Sequence, residues 1–210
     1  MNTPWMEMTI REFQSALASS SPTPGGGTAA AISLGQAAAL TCMVADLTLG
    51  KEKWEEGWVI AEKAALLSVR MLTRSGQLAD EDSDSFDAVM DTFRLPKDND
   101  KEVATRRNAI RSATLHAAVV PLETARHAHN LLQILPELAK LGNANAVSDV
   151  GVAGLLASAA CKGALFNVEI NLSSIPEEMG AELAKEASEL QDSCRLLSRS
   201  IMDEVRARLT

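Results

Sequence analysis

Residues 22–50 read PTPGGGTAAAISLGQAAALTCMVADLTLG. Two prolines and three glycines interrupt whatever precedes them. A long run of alanine, leucine, valine and other small side chains follows, with no strand-like alternation. The run reads as a helix from about Thr28 to Leu49, stopped by Gly50. It is apolar nearly all round, so it belongs inside a bundle of helices. Gly25, Gly26 and Gly27 lack a Cβ and let the backbone lie close to a ligand, where the helix offers unpaired N–H groups and its positive dipole end. A carboxylate, phosphate or polarised carbonyl suits that position, and so does a tight turn between closely packed helices. The motif is not a nucleotide P-loop, because no strand precedes it and no Gly-Lys-Ser/Thr follows. It also fails the Gly-x-Gly-x-x-Gly dinucleotide pattern.

Working outward, Thr9 and Glu12 form a capping box that opens a short helix ending near Ser19. A third helix is expected from Trp54 or Glu55 to Phe93, with a break near Ser75-Gly76 because of its length. A fourth covers about Glu102 to Leu141, kinked or broken at Pro121 and Pro136 and closed by Gly142. The fifth, from about Ala146 to Asn171, is built of small apolar residues and is expected at the centre. Ser174-Ile175-Pro176-Glu177 reads as a second capping box, opening a final amphipathic helix to about Leu209. The expected fold is all-α: one domain over residues 1–210, a bundle of five to six helices around a buried small-residue helix.

The chain has 210 residues, enough for a sizeable core, and its 46% hydrophobic content includes only 3% aromatics and no tyrosine. A net charge of −8 argues against a nucleic-acid or anionic-membrane surface. Cys42, Cys161 and Cys194 are widely spaced and odd in number, which suggests buried, reduced thiols. The residues from Met1 to Thr9 carry no secretion pattern, so a cytoplasmic protein is expected. Thr28–Leu49 and Asn145–Val168 raise the question of a membrane span. Their small residues, with Gln36, Asp46, Asp149 and Lys162, favour buried helices instead.

The acidic run from Asp80 to Asp91 divides by helical spacing. Asp80, Asp84, Asp87 and Asp91 share one stripe, on which Asp84 and Asp91 are expected to face solvent. Asp82 falls with Phe86, Val89, Met90 and Phe93. A carboxyl on a dry face has its pKa raised toward the range useful for proton transfer, which makes Asp82 a general acid/base candidate. A buried structural aspartate held by a lysine or a helix end has the same signature. In Gly142–Asp149, Asn145 or Ser148 suits a helix cap, and Asp149 complements the dipole. Asn167 and Asn171, one turn apart, require partners in a neighbouring helix or a ligand. Asp149 and Asn167 stand roughly 27 Å apart along one helix, so only an extended ligand or two subunits would use both. The three histidines have no metal-ligand spacing. Lys51 reads as a surface cation, and Lys97, just after Pro96, is better placed to reach a cleft.

Taken in order, these segments resemble the cyclodeaminase family: the C-terminal half of the formiminotransferase-cyclodeaminases and its free-standing relatives. The resemblance rests on Pro22-Thr23-Pro24-Gly25-Gly26-Gly27-Thr28, with threonine for the usual serine, and on Gly50-Lys51. It extends through Asp82-Ser83-Asp84-Ser85-Phe86, Leu95-Pro96-Lys97, Gly142-Asn143-x-Asn145-x-x-Ser148-Asp149 and Asn167-x-x-x-Asn171. It implies a cytoplasmic homodimer acting on a tetrahydrofolate derivative, without metal or redox cofactor, nucleic acid or membrane. The implied reaction is closure of 5-formiminotetrahydrofolate to 5,10-methenyltetrahydrofolate with loss of ammonia, the alternative being methenyltetrahydrofolate cyclohydrolase. A catalytically silent, folate-binding or scaffold dimer is the reading from another class. Asp82 is the implied acid/base residue. Gly25, Gly26, Gly27 and Lys51 would face the pterin or its one-carbon unit, Lys97 a glutamate tail, and Asn143, Asn145 and Asp149 the pterin edge. Asn167 completes the implied binding set.

Overall fold

The computed structural model describes residues 3–209; Met1, Asn2 and Thr210, the ends of the stretch read as one domain, lie outside the described residues. Among the described residues there are six α-helices and no strand: α1 (Ile10–Leu17), α2 (Gly26–Thr48), α3 (Trp58–Thr92), α4 (Asp100–Leu141), α5 (Val147–Leu172) and α6 (Glu177–Leu209). Local chemistry sets most of their ends. Thr9 Oγ1 accepts the Glu12 N–H at 3.2 Å while Glu12 accepts the Thr9 N–H at 2.8 Å, which is the expected box at α1. Asn99 accepts the Glu102 N–H at 3.0 Å, so α4 starts at Asp100, slightly earlier than expected. After α2, Gly50 turns the chain at φ +70°, a conformation suited to glycine. The start of α3 differs from expectation: Glu52–Gly57 is a 3-10 turn and Trp54 has non-helical φ/ψ, so α3 begins at Trp58.

The two small-residue helices lie together. Ala31, Leu34, Ala38 and Val44 of α2 are fully buried, as are Ala153, Ala157, Ala160 and Ala164 of α5. A methyl at Gly163 would meet Ala30 Cβ at 3.5 Å and one at Gly26 would meet Asn167 Nδ2 at 3.8 Å. The helices therefore run antiparallel. α5 also packs against α4 and α6, where Gly154 leaves room for Ile201; a methyl there would come within 2.9 Å of Ile201 Cγ2. Both helices are long and apolar enough to cross a membrane, yet 56% of the apolar window in each is buried inside the bundle.

Three expected interruptions take another form. α3 runs unbroken through Ser75-Gly76, because both residues are used for close packing. A methyl on Gly35 would fall 2.5 Å from Ser75 Oγ, and one on Gly76 would fall 2.8 Å from Met6 Cγ. α4 likewise runs through Pro121 and Pro136. Pro121 has no N–H to give the Ala117 carbonyl one turn back. Asn171 of α5 supplies the missing donor, Nδ2 to Ala117 O at 2.9 Å. Asn171 is thereby accounted for as a helix-to-helix bond. At the start of α6, Ser174 is not part of a box; its hydroxyl donates to the Ile170 carbonyl at 3.1 Å, at the close of α5.

Asn171→Ala leaves that buried carbonyl without its donor and should cost about 1–2 kcal/mol in urea unfolding. Pro121→Ala restores the intrahelical N–H, so in that background the same substitution should cost distinctly less. Equal losses in both backgrounds would contradict this account.

Candidate active site

The first turn of α2 holds the densest polar contact between distant segments. Gly25 is the residue before the helix, and Gly26 and Gly27 are already helical, so α2 starts earlier than the expected Thr28. The bare Cα of Gly27 faces the Asp82 carboxyl of α3: an ideal methyl there would lie 2.1 Å from Asp82 Oδ1 and 2.6 Å from its Cγ. Gly27 is glycine because a carboxyl group occupies the place of its side chain. Thr28 Oγ1 donates to Asp82 Oδ2 at 3.0 Å, and Gly25 N–H donates to Thr28 Oγ1 at 3.4 Å. Ser83 Oγ lies 3.1 Å from Thr28 Oγ1 and accepts the Trp5 indole N–H at 3.0 Å.

Burial pushes the Asp82 carboxyl above the usual aspartate range, while the Thr28 hydroxyl and backbone N–H pull it partly back. The dipole end of α2 acts in the same direction as Thr28. The expected source of dryness was wrong. Phe86, Met90 and Phe93 are 40%, 43% and 49% exposed, so that stripe does not bury Asp82; the approach of α2 does. On the other stripe Asp84 and Asp91 are exposed as expected, while Asp80 is half-buried and accepts the Trp5 backbone N–H at 2.9 Å. Sequence reading missed Trp5 and Ser83. They lie 78 residues apart, and a helical serine and a tryptophan before a short helix carry no signal linking them.

The other expected residues divide between two ends of the bundle. Asn167 joins Gly26 and Gly27, its amide donating to its own helix at Gly163 O, 2.9 Å away. Asn143 sits at the far end of α2, where its backbone N–H donates to Thr48 Oγ1 at 3.0 Å and its Nδ2 donates to Leu47 O at 2.9 Å. Its side chain also accepts the Asn145 N–H at 3.0 Å and caps the 3-10 turn Ala144–Ala146, whereas α5 follows from Ala146 without the side-chain cap expected of Asn145 or Ser148. Exposed Asn145 and half-buried Asp149 belong to that end, as does exposed Lys51, which follows α2. The 23 residues of α2 separate the two ends by roughly 34 Å. Exposed Lys97 lies beyond the end of α3, ten helical positions past Asp82, or roughly 15 Å. Within one chain, Asp82, the glycines and Asn167 are together; Lys51, Lys97, Asn143, Asn145 and Asp149 are elsewhere. Of the cysteines, Cys161 and Cys194 are buried thiols, whereas Cys42 is only half-buried.

The sequence profile described as formiminotransferase-cyclodeaminase matches residues 9–189, the span that holds both ends of α2, Asp82 and Asn167. The chain belongs to this family. A methenyltetrahydrofolate cyclohydrolase of Methylorubrum extorquens is 39% identical over 205 residues, covering 96% of this chain and 97% of that one. The pig formimidoyltransferase-cyclodeaminase is 29% identical over 200 residues, and the chain spans only 37% of its length. The crystal structure of formiminotetrahydrofolate cyclodeaminase from Thermotoga maritima superposes with a TM-score of 0.86 at 26% identity, covering 98% of this chain and 99% of that one. In this member of the cyclodeaminase family, the close approach within the glycine run falls at Gly27.

Gly27→Ala should force Asp82 aside and lower stability by about 1–3 kcal/mol, as overpacking does. Gly25→Ala and Gly26→Ala meet only ordinary contacts at 3.6 and 3.8 Å and should melt close to wild type. Equal melting of all three variants would contradict the carboxyl-over-glycine contact.

Proposed function

We propose that the protein acts at the one-carbon bridge between N5 and N10 of tetrahydrofolate, with Asp82 as the acid/base group. The observation that carries the reading is a desolvated carboxyl held over Gly27 at a helix start, in a chain of the cyclodeaminase family. Hydrolysis of the 5,10-methenyl bridge is supported by the 39% identity to a cyclohydrolase along almost its full length. Ring closure of the 5-formimino compound with release of ammonia is supported by the Thermotoga maritima likeness. Both reactions pass through one tetrahedral carbon. In the first, water adds to the bridge carbon and loses a proton to Asp82, which returns it as the carbon–nitrogen bond opens. In the second, N10 adds to the formimino carbon and its proton passes through Asp82 to the departing ammonia. A carboxyl whose pKa is raised by burial suits a group that must both take and give a proton.

We further propose a homodimer paired across the outer faces of α2 and α5. Exposed Met43 and Leu47 of α2 and Val152, Leu155 and Phe166 of α5 make that face apolar, with Asp46 toward one end and Lys162 toward the other. A two-fold axis across the helices near Ala39 and Leu155 would set each Asp46 opposite Lys162 of the other copy. The same operation would bring the Gly26-Gly27 turn of one copy toward Lys51 and Asn143 of the other. That arrangement supports a site drawing on both ends of α2, which one chain keeps roughly 34 Å apart.

Asp82→Asn should lower turnover of the methenyl or formimino substrate by at least ~100-fold. Loss of methenyl absorbance and release of ammonia distinguish the two reactions. The folded protein binds the Asp82 proton more tightly than the unfolded chain, so this group's contribution falls as pH rises from 3.8 through its raised folded value. Asp82→Asn should therefore be no less stable than wild type at pH 7. Near-normal turnover in the variant would defeat the assignment.

Leu155→Glu should convert a dimer in light scattering to a monomer and reduce turnover. A wild-type protein that is monomeric at micromolar concentration, or that partitions into lipid vesicles, would overturn the dimer.

A further inference from the structure

With Asp82 ionised, the hydrogen bonds behind it run in one direction. An indole N–H can donate and cannot accept, so Ser83 Oγ must be the acceptor of the 3.0 Å bond from Trp5. An ionised carboxylate can only accept, so the Thr28 hydroxyl spends its proton on Asp82 Oδ2, 3.0 Å away. The 3.1 Å bond between the two hydroxyls is then donated by Ser83 to Thr28. Every proton in the row points toward Asp82. We infer that Trp5 is a positioning residue for the acid/base carboxyl, acting through Ser83 and Thr28, so that the segment before α1 is part of the catalytic apparatus. This rests on the reading of Asp82 given above.

Trp5 is fastened for such a task. Its backbone N–H donates to Asp80 Oδ1 at 2.9 Å, and its ring meets Phe13 edge-on at a centroid distance of 6.2 Å. The chain reaches Asp82 from 77 residues earlier in sequence and joins three segments in one row. Because its first member cannot reverse, the row favours the ionised carboxyl, and each donation strengthens the next. Without the indole donor, the Ser83 hydroxyl is freer to turn to its other acceptor, the Ala79 carbonyl at 3.5 Å.

The surroundings of Asp82 leave this row as the main counterweight to burial. From α2 it faces Thr28, and no neighbouring charge contributes to its shift. Of the adjacent acids on α3, Asp80 is bonded to Trp5, Glu81 pairs with Arg74, and Asp84 is exposed. Arg74 of α3 pairs with Glu123 of α4, which puts Arg111 and His116 of α4 nearest the level of Asp82; neither contributes.

Trp5→Phe keeps the backbone bond and the ring but removes the N–H. The test is a carbon NMR titration of the Asp82 carboxyl, its signal assigned by loss in Asp82→Asn, beside the pH profile of kcat/KM. Removing a donor to the charged form raises the midpoint, so it should climb by roughly half a pH unit in Trp5→Phe. Ser83→Ala should raise it as much or more, and the double variant should match Ser83→Ala alone. The acidic limb of kcat/KM should move up by the same amount. An unmoved midpoint, even with a lower melting temperature, would overturn the chain and leave Trp5 a packing residue. A midpoint that moves while the kinetic limb stays would overturn its part in catalysis. Full turnover in Asp82→Asn would instead defeat the prior reading of Asp82, whatever the titration shows.

Discussion

The Asp82 carboxyl against the bare Cα of Gly27 is the contact around which the candidate site is arranged. It lets α2 approach α3 so closely that a methyl at position 27 would lie 2.1 Å from the carboxyl oxygen. That closeness dries the carboxyl, brings Thr28 within 3.0 Å of it, and aims the positive end of α2 at its charge. Dryness and dipole oppose one another. Burial raises the carboxyl's affinity for a proton and the donors from Thr28 lower it, a combination absent from a buried acid without donors or an exposed one on the helix surface.

A comparable economy holds the long helices together. α3 and α4 are uninterrupted over 35 and 42 residues, and in α4 a gap in the backbone bonding is filled by a side chain of another helix. Asn171 of α5 supplies the proton that Pro121 cannot. Arg208 of α6 donates to the carbonyls of Ala139 and Gly142 at 2.9 and 2.8 Å, where α4 ends. Within α2, Thr41 and Thr48 turn their hydroxyls back to carbonyls one turn earlier, both at 2.8 Å, so a nearly all-apolar helix carries polar side chains without burying unpaired groups.

How much of this could be read beforehand depended on the range of the interaction. The all-helical bundle followed from local pattern: the alanine-rich stretches of α2 and α5, the Thr9 box and the stop at Gly50 depend on neighbours a few positions away. Asp82 was singled out for a stripe that is in fact half open to solvent, because helical spacing identifies a face but not what covers it. The glycines were noticed, yet their partner was unknowable without the crossing of α2 and α3. The interruption at Ser75-Gly76 was misread for a related reason: small residues mark close approach as readily as a break. Asn171 had a legible cue, since Pro121 must orphan Ala117, but nothing local says which helix answers. Trp5 had none.

The fit at Gly27 also constrains the order in which this site can be lost. A lineage that keeps the acid in place is penalised even for alanine at 27, because the new methyl would lie 2.1 Å from the carboxyl oxygen and displace it. Once position 82 has become small, the glycine is free to drift, and the methyl that replaces it then bars the acid's return. Descendants lacking the aspartate would accordingly be expected to have lost it before, or together with, the glycine, and a filled position 27 would act as a ratchet against regaining the carboxyl.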